Sequence, residues 1–268
     1  MALIAFLSDF GTKDAYVAQV KAVILSLSPT STIVDVSHEI ERHNVFQGMF
    51  VLATAAPYFP SGTIFLAVVD PEVGGLRRPL LLETGKSRFV GPDNGILTLA
   101  AEKEGVIRAY HLTEPDYFAE TVSPTFHGRD IFAHVVGHLA EGALPSLMGQ
   151  PVSDYARLKI PEARLKDGEI HGEAVHVDGF GNVVTNVESE ILNRGGFNFN
   201  TRLRMETEGH VQEVLLRRTY SEAPPGELLA TIGSHGFLEF AVNQGDAAEL
   251  LGIQVGTPIV LHIIDCFP

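Results

Sequence analysis

Ala2 to Leu7 is a short unbroken apolar run, the pattern of a strand buried on both faces of a parallel sheet. The loop Ser8-Asp-Phe-Gly-Thr12 follows, and Asp14 is placed to start a helix in which Val17, Val20, Lys21, Ile24 and Leu25 recur at helical spacing through Leu27. Thr32 to Ser37 predicts a second strand, Phe46 to Ala56 a second helix, and Ile64 to Val69 a third strand that runs straight into Asp70. Pro79 to Glu83 and Arg88 to Val90 read as a hairpin, Gly91 to Gly95 as a turn, and Ile96 to Glu102 and Ile131 to Leu139 as helices. This alternation predicts an α/β domain with a mostly parallel central sheet.

The texture changes after Gly149. Pro151 to Lys166 carries prolines and charges with little periodicity, as a linker does. Beyond it, short β-rich runs alternate with turn signals: Gly172 to Val177, Asn182 to Val187, Thr201 to Met205, Val211 to Arg217, Leu228 to Ile232, Leu238 to Val242 and Pro258 to Ile264. Ala247 to Leu251 adds one helical turn. Such spacing predicts a small β-barrel-like domain. The expected organisation is an N-terminal α/β domain over 1–155 and a C-terminal β-barrel-like domain over 167–268.

Composition narrows the function. The chain has 268 residues, of which 45% are apolar and 19% charged, so it has ample material for a core. Its formal charge of −14 disfavours a nucleic acid or an anionic membrane as partner and leaves a small cationic or zwitterionic substrate open. The single cysteine, Cys266, has no partner for an internal disulfide, which points to a reducing cytoplasm. The apolar N-terminus lacks a basic region before it and reads as a strand, not a signal peptide. No apolar run of about 18 residues occurs, so no spanning helix is expected.

The stretch Val68-Val-Asp-Pro-Glu-Val-Gly-Gly-Leu-Arg77 holds the most chemistry. A carboxylate at a strand end, on a glycine loop that returns with an arginine, is where open α/β sheets place ligands; a structural Asp–Arg pair is an equal reading. Asp9, after the first strand, could accept both hydroxyls of a ribose or cap the next helix. His127, in the turn Phe126-His-Gly128, is placed to be a general base or to orient water. His38 and His43 could line a pocket. His134 and His138 share a helix face, but structural histidines are the better reading there. Asp178-Gly-Phe-Gly-Asn182 suits a flat base, although Asp-Gly is also an ordinary turn, and Gly233-Ser-His-Gly236 is a similar loop. Asp9-Phe-Gly11 lacks the surroundings of a kinase magnesium motif, and Gly85-Lys-Ser87 lacks the first glycine of a phosphate loop.

Taken in order, Leu7-Ser-Asp-Phe-Gly-Thr12, Val34-Asp-Val-Ser-His-Glu-Ile40, Val69-Asp-Pro-Glu-Val-Gly74, Pro92-Asp-Asn-Gly95, Thr125-Phe-His-Gly-Arg-Asp-Ile131, Phe180-Gly-Asn-Val-Val-Thr-Asn186 and Gly233-Ser-His-Gly236 form a series. It resembles the S-adenosyl-L-methionine hydroxide adenosyltransferase family, which is related to the fluorinases and chlorinases. The resemblance implies displacement at the ribose C5′ by water or hydroxide, giving adenosine and L-methionine. It also implies a homotrimer whose adenosyl site lies between one subunit's N-terminal domain and its neighbour's C-terminal domain. The family's Asp, Arg and His set falls on Asp70, Arg77 and His127, and halide-using relatives have other side chains at the Asp and His positions. Asp9, Phe126, Asp178, Phe180, Asn182, Ser234 and Glu239 are the implied substrate contacts. S-adenosylmethionine is the substrate, and neither a cofactor nor a metal is expected. The chain departs from the usual pattern at Glu72, where Gly is common, and at His134, where Pro is common. Halide transfer and a non-catalytic sensor of S-adenosylmethionine or adenosine are the alternatives.

Overall fold

The computed structural model describes residues 1–266. The chain divides between Lys159 and Ile160 into two compact units. In the first, β1 (Leu3–Ser8), β2 (Thr32–Ser37), β3 (Ile64–Val68), β4 (Pro79–Thr84), β5 (Arg88–Pro92), β6 (Val106–Leu112) and β7 (Gly149–Val152) form one seven-stranded sheet ordered β2-β1-β3-β5-β4-β6-β7. β1 pairs in parallel with β2 and β3, and β3 with β5. The β4–β5 hairpin reverses the chain, and β6 and β7 continue antiparallel. β2, β1, β3, β5 and β6 therefore point one way, as a mostly parallel sheet requires.

The unbroken apolar strands follow from burial on both faces. Ile4, Phe6, Leu66 and Val68 pack on one side with residues of α1 (Tyr16–Leu27) and α4 (Ala133–Ala140). Ala5, Leu7, Phe65, Ala67 and Val69 pack on the other with α2 (Val45–Ala55) and α3 (Thr98–Glu104). Each Val, Leu, Ile or Phe among these contributes about 1.5–3 kcal/mol on full burial. Asn44 caps α2 by accepting from the Gln47 N–H at 2.9 Å. The cap residue of α1 is Ala15, which makes no side-chain cap, so neither Asp9 nor Asp14 serves that purpose.

Some elements were not legible. β6 begins directly after Gly105, whose φ of 84° ends α3, and Arg108 and His111 interrupt its apolar pattern. β7 is an edge strand, where Pro151 costs no ladder bond. The segment read as a linker is docked on the first unit as far as Leu158. Ala156 N–H donates to Asp93 at 2.7 Å, Arg157 to Glu102 at 2.7 Å and Leu158 N–H to Thr98 at 3.3 Å.

The second unit is a single antiparallel sheet. It comprises β8 (Arg164–Lys166), β9 (Glu169–Val177), β10 (Val183–Glu188), β11 (Thr201–Thr207), β12 (His210–Leu215), β13 (Leu228–Ile232), β14 (Phe237–Val242) and β15 (Pro258–Cys266). The order is β12-β11-β15-β9-β10-β14-β13, with β8 beside β9. One bridge, Leu216 to Ala230, brings the two edges together, so the sheet is a nearly closed barrel around Ile170, Val183, Leu203, Met205, Phe240 and Leu261. α5 (Ser189–Arg194) is a further short helix beyond the sequence expectation, and α6 (Ala247–Leu251) forms the expected helical turn. Cys266 ends β15, and its side chain lies outside the described residues.

Candidate active site

β3 delivers Asp70 to the end of the sheet. Asn94 donates to the Val69 carbonyl at 2.8 Å, and the chain then turns through Val73 N–H to Asp70 O and Gly75 N–H to Glu72 O. Gly74 has a φ of 75°, and a Cβ there would stand 2.2 Å from the Pro124 carbonyl oxygen. Only glycine lets this loop approach residues 123–127 so closely. The loop returns Arg77 onto Asp70: Nε donates to Oδ1 at 2.9 Å and Oδ2 at 3.0 Å, and Nη2 to Oδ2 at 2.5 Å. Both side chains are buried, at 3% and 6% exposure, so neither charge is tolerable without the other. Arg78, the alternative on spacing, pairs instead with Asp93 and Asp154.

The same Arg77 Nη2 contacts Nδ1 of His127 at 2.8 Å. A guanidinium has only donors, so Nδ1 is the acceptor and the neutral ring carries its proton on Nε2. Burial pushes the His127 pKa below the ordinary imidazole value; the Arg77 charge lowers it further, and Asp70 and Asp130 oppose this. The imidazole is therefore neutral at pH 7. It sits at the head of a π-type turn, Gly128–Phe132, that leads into α4. Asp130, which carries no sequence signal for this part, holds this corner by accepting from Ser123 N–H at 2.8 Å and Arg129 Nε at 2.6 Å.

Asp9, Phe126, Asp70, His127 and His43 line one cavity of about 180 Å³ in the first unit. Arg77 is not on its wall but behind it. Phe126 stands edge-on to Phe10 and Tyr16, at 5.7 and 5.3 Å between ring centres. Asp9 Oδ2 accepts from the His43 N–H at 2.9 Å. The expectation for His38 and His43 divides: His43 lines the cavity, and His38 is buried with Nδ1 on Ser8 Oγ at 2.8 Å. Glu72 is exposed and off the wall. His138 packs edge-on against Tyr117, and among the described residues no group of three or more His, Cys, Asp or Glu could hold a metal.

In the second unit, Asp178, Phe180 and Asn182 line a cavity of about 580 Å³ with Tyr220, Asn243 and Gln244. Asp178 builds its own turn: Oδ1 accepts from Phe180 N–H at 2.8 Å and Asn182 N–H at 2.9 Å, and Oδ2 from Asn182 Nδ2 at 2.9 Å. This holds Phe180 out into solvent, 81% exposed. Glu239 is 2% exposed and off the wall; Tyr220 donates to it and His235 Nε2 lies 3.1 Å away. Its place is that of a support for Tyr220, whose pKa is raised by burial and then by the bond and charge of Glu239. Ser234 is exposed on its loop, outside both cavity walls. Tyr220 belongs to no motif, and no sequence signal marked it.

Comparison with known proteins adds to this geometry. The SAM hydroxide adenosyltransferase N-terminal domain model matches residues 4–149, and the corresponding C-terminal domain model matches residues 172–260. An (R)-S-adenosyl-L-methionine hydrolase from Thermus thermophilus is 39% identical over 263 residues, covering 96% of this chain and 98% of the relative. A fluorinase from Nocardia brasiliensis is more distant, 28% identical and covering 97% of each chain. The solved structure of an uncharacterized conserved protein from Thermotoga maritima superposes with a TM-score of 0.93 at 37% identity, covering 97% of this chain and 99% of that one. By both of its domains, this chain belongs to the SAM hydroxide adenosyltransferase family.

Proposed function

We propose that this protein hydrolyses S-adenosyl-L-methionine to adenosine and L-methionine. The observation that carries the reading is Asp70 and His127 side by side on one cavity wall, both held by Arg77, in a chain of this family. The reaction needs no acid for its leaving group, because a sulfonium departs as a neutral thioether. A water oxygen forms the new bond to C5′ as the C5′–S bond breaks, the bonding pair returns to sulfur, and water's proton leaves. The enzyme's task is to hold that water in line, about 3 Å from carbon. Asp70 is the acceptor for the water's proton. His127, with its proton on Nε2, is a donor that fixes the water oxygen. Arg77 is a positioning residue that aims both.

A first-unit cavity of about 180 Å³ is smaller than the roughly 300 Å³ at which ligand pockets begin. The ribose falls to Asp9 and Phe126, and the base to Phe180, Asn182 and Asp178, with Ser234 near the substrate's periphery. Since these groups belong to different units, a homotrimer that joins one chain's first unit to a neighbour's second is the assembly we propose. Light scattering showing a monomer fully active on dilution would contradict it. Among the described residues no helix is long and apolar enough to cross a membrane; with a single cysteine, the cytoplasm is the proposed location.

Purified protein incubated with S-adenosylmethionine, with and without chloride, tests the activity. Adenosine and methionine in both arms are expected. A chlorinated nucleoside would move the chain to halide transfer, and unreacted substrate bound to protein would make it a sensor.

A further inference from the structure

The turn between β2 and α2 contains a backbone conformation that calls for a reason. Asn44 N–H closes the turn on the Glu41 carbonyl at 2.9 Å, which places His43 third of four residues. His43 has a φ of 67°. That position in a turn ordinarily goes to Gly or Asn, because a side chain is strained there. The surrounding bonds enforce it: Asn44 caps α2, Asn44 Nδ2 donates to Glu41 at 3.0 Å, and Glu41 N–H donates to Gln47 at 2.6 Å. In this conformation the His43 N–H meets Asp9 Oδ2 at 2.9 Å. Strained residues that their surroundings over-determine cluster at ligand sites, and His43 lines the cavity that contains Asp9, Asp70 and His127.

We infer that His43 is a positioning residue whose main-chain N–H, in the left-handed conformation, orients the Asp9 carboxylate for the ribose hydroxyls. The inference rests on the ribose role of Asp9 proposed above. A carboxylate at a strand end is free to rotate about its Cβ–Cγ bond, and a diol needs its two oxygens at a fixed angle. One amide bond to Oδ2 removes that freedom before substrate arrives, which is preorganisation. The imidazole is not required for this; the backbone conformation is.

The test separates backbone from ring. His43→Asn loses the imidazole but tolerates the left-handed conformation. His43→Val loses the ring and also strongly disfavours the conformation. His43→Ala serves as a milder member should the valine variant fold poorly. Steady-state kinetics with S-adenosylmethionine and calorimetry with adenosine are the readouts. His43→Asn should raise KM and the adenosine Kd clearly less than His43→Val does. For His43→Val, KM and the adenosine Kd should rise about tenfold while kcat stays within about twofold, the pattern of lost ground-state binding. In an Asp9→Ala background, His43→Val should add nothing, because the residue it orients is gone. Equal losses in the Asn and Val variants, or an additive double variant, would overturn the inference and leave the ribose reading standing. Native binding in Asp9→Ala alone would overturn the ribose reading itself, and this inference with it.

Discussion

A guanidinium that donates to a carboxylate and an imidazole at once decides what each partner can do. With Nδ1 of His127 accepting from Arg77, the ring has no free lone pair for water's proton, so Asp70 must take it. Asp70→Asn should therefore cost about 10²–10⁴-fold in kcat, the range for a lost proton acceptor, and adding a His127 substitution should cost little more. Wild-type turnover by Asp70→Asn would end the assignment. His127→Gln, which keeps a donor, should retain more activity than His127→Ala; a base would leave both equally inactive. The lowered His127 pKa has a sign for pH dependence. Its contribution to stability is fully present above the ordinary 6.5 and is lost as pH falls through the lower folded value, because the unfolded chain binds a proton that the folded ring refuses. Turnover needs the neutral ring, so an acid limb of kcat set by His127 should lie below 6.5, and a His127-dependent limb at or above 6.5 would contradict the lowered value. The sequence was legible here for Asp70, Arg77 and His127 as types and spacings. It could not show that Arg77 sits behind the wall, since burial depends on Phe132 and the loop at 123–127, far away in the chain.

The loop from Asp70 to Arg77 works as an element because it is pressed against another loop. The sequence disclosed its glycines but not their neighbour. Gly74→Ala should force a Cβ into the Pro124 carbonyl at 2.2 Å in a conformation that alanine resists. A loss of about 1–3 kcal/mol follows from the strain alone, or several degrees in Tm, together with a fall in kcat as the His127 corner shifts. Gly75→Ala meets only the Glu72 carbonyl, at 3.0 Å, and should be milder; calorimetric melting of the two variants checks the order. Strands with continuous apolar runs were readable because both faces are covered. β6, β7 and α5 were not, since mixed polarity, an edge position and a single turn leave little periodic signal.

At the scale of the whole molecule, an α/β unit and a barrel-like unit were visible as a change of texture near residue 150. The docking of the segment up to Leu158 is not legible in sequence, because its anchors, Asp93, Thr98 and Glu102, are remote in the chain. The barrel's closure was equally hidden, and it has a kinetic consequence. Leu216 and Ala230 form the bridge across the seam, and Arg217 N–H donates to the Ala230 carbonyl at 2.8 Å. A cylinder zipped along most of its circumference but, among the described residues, bridged at one isolated point will breathe there first. In hydrogen–deuterium exchange, peptides spanning 210–217 should take up label before those from β9 and β10, with the Arg217 amide among the earliest of the paired ones. Uniform protection around the barrel would mean that the seam is held by more than this bridge. If the edges do part on this timescale, β12 is the strand through which the barrel would open its interior to solvent, leaving the sheet around Ile170 and Val183 intact.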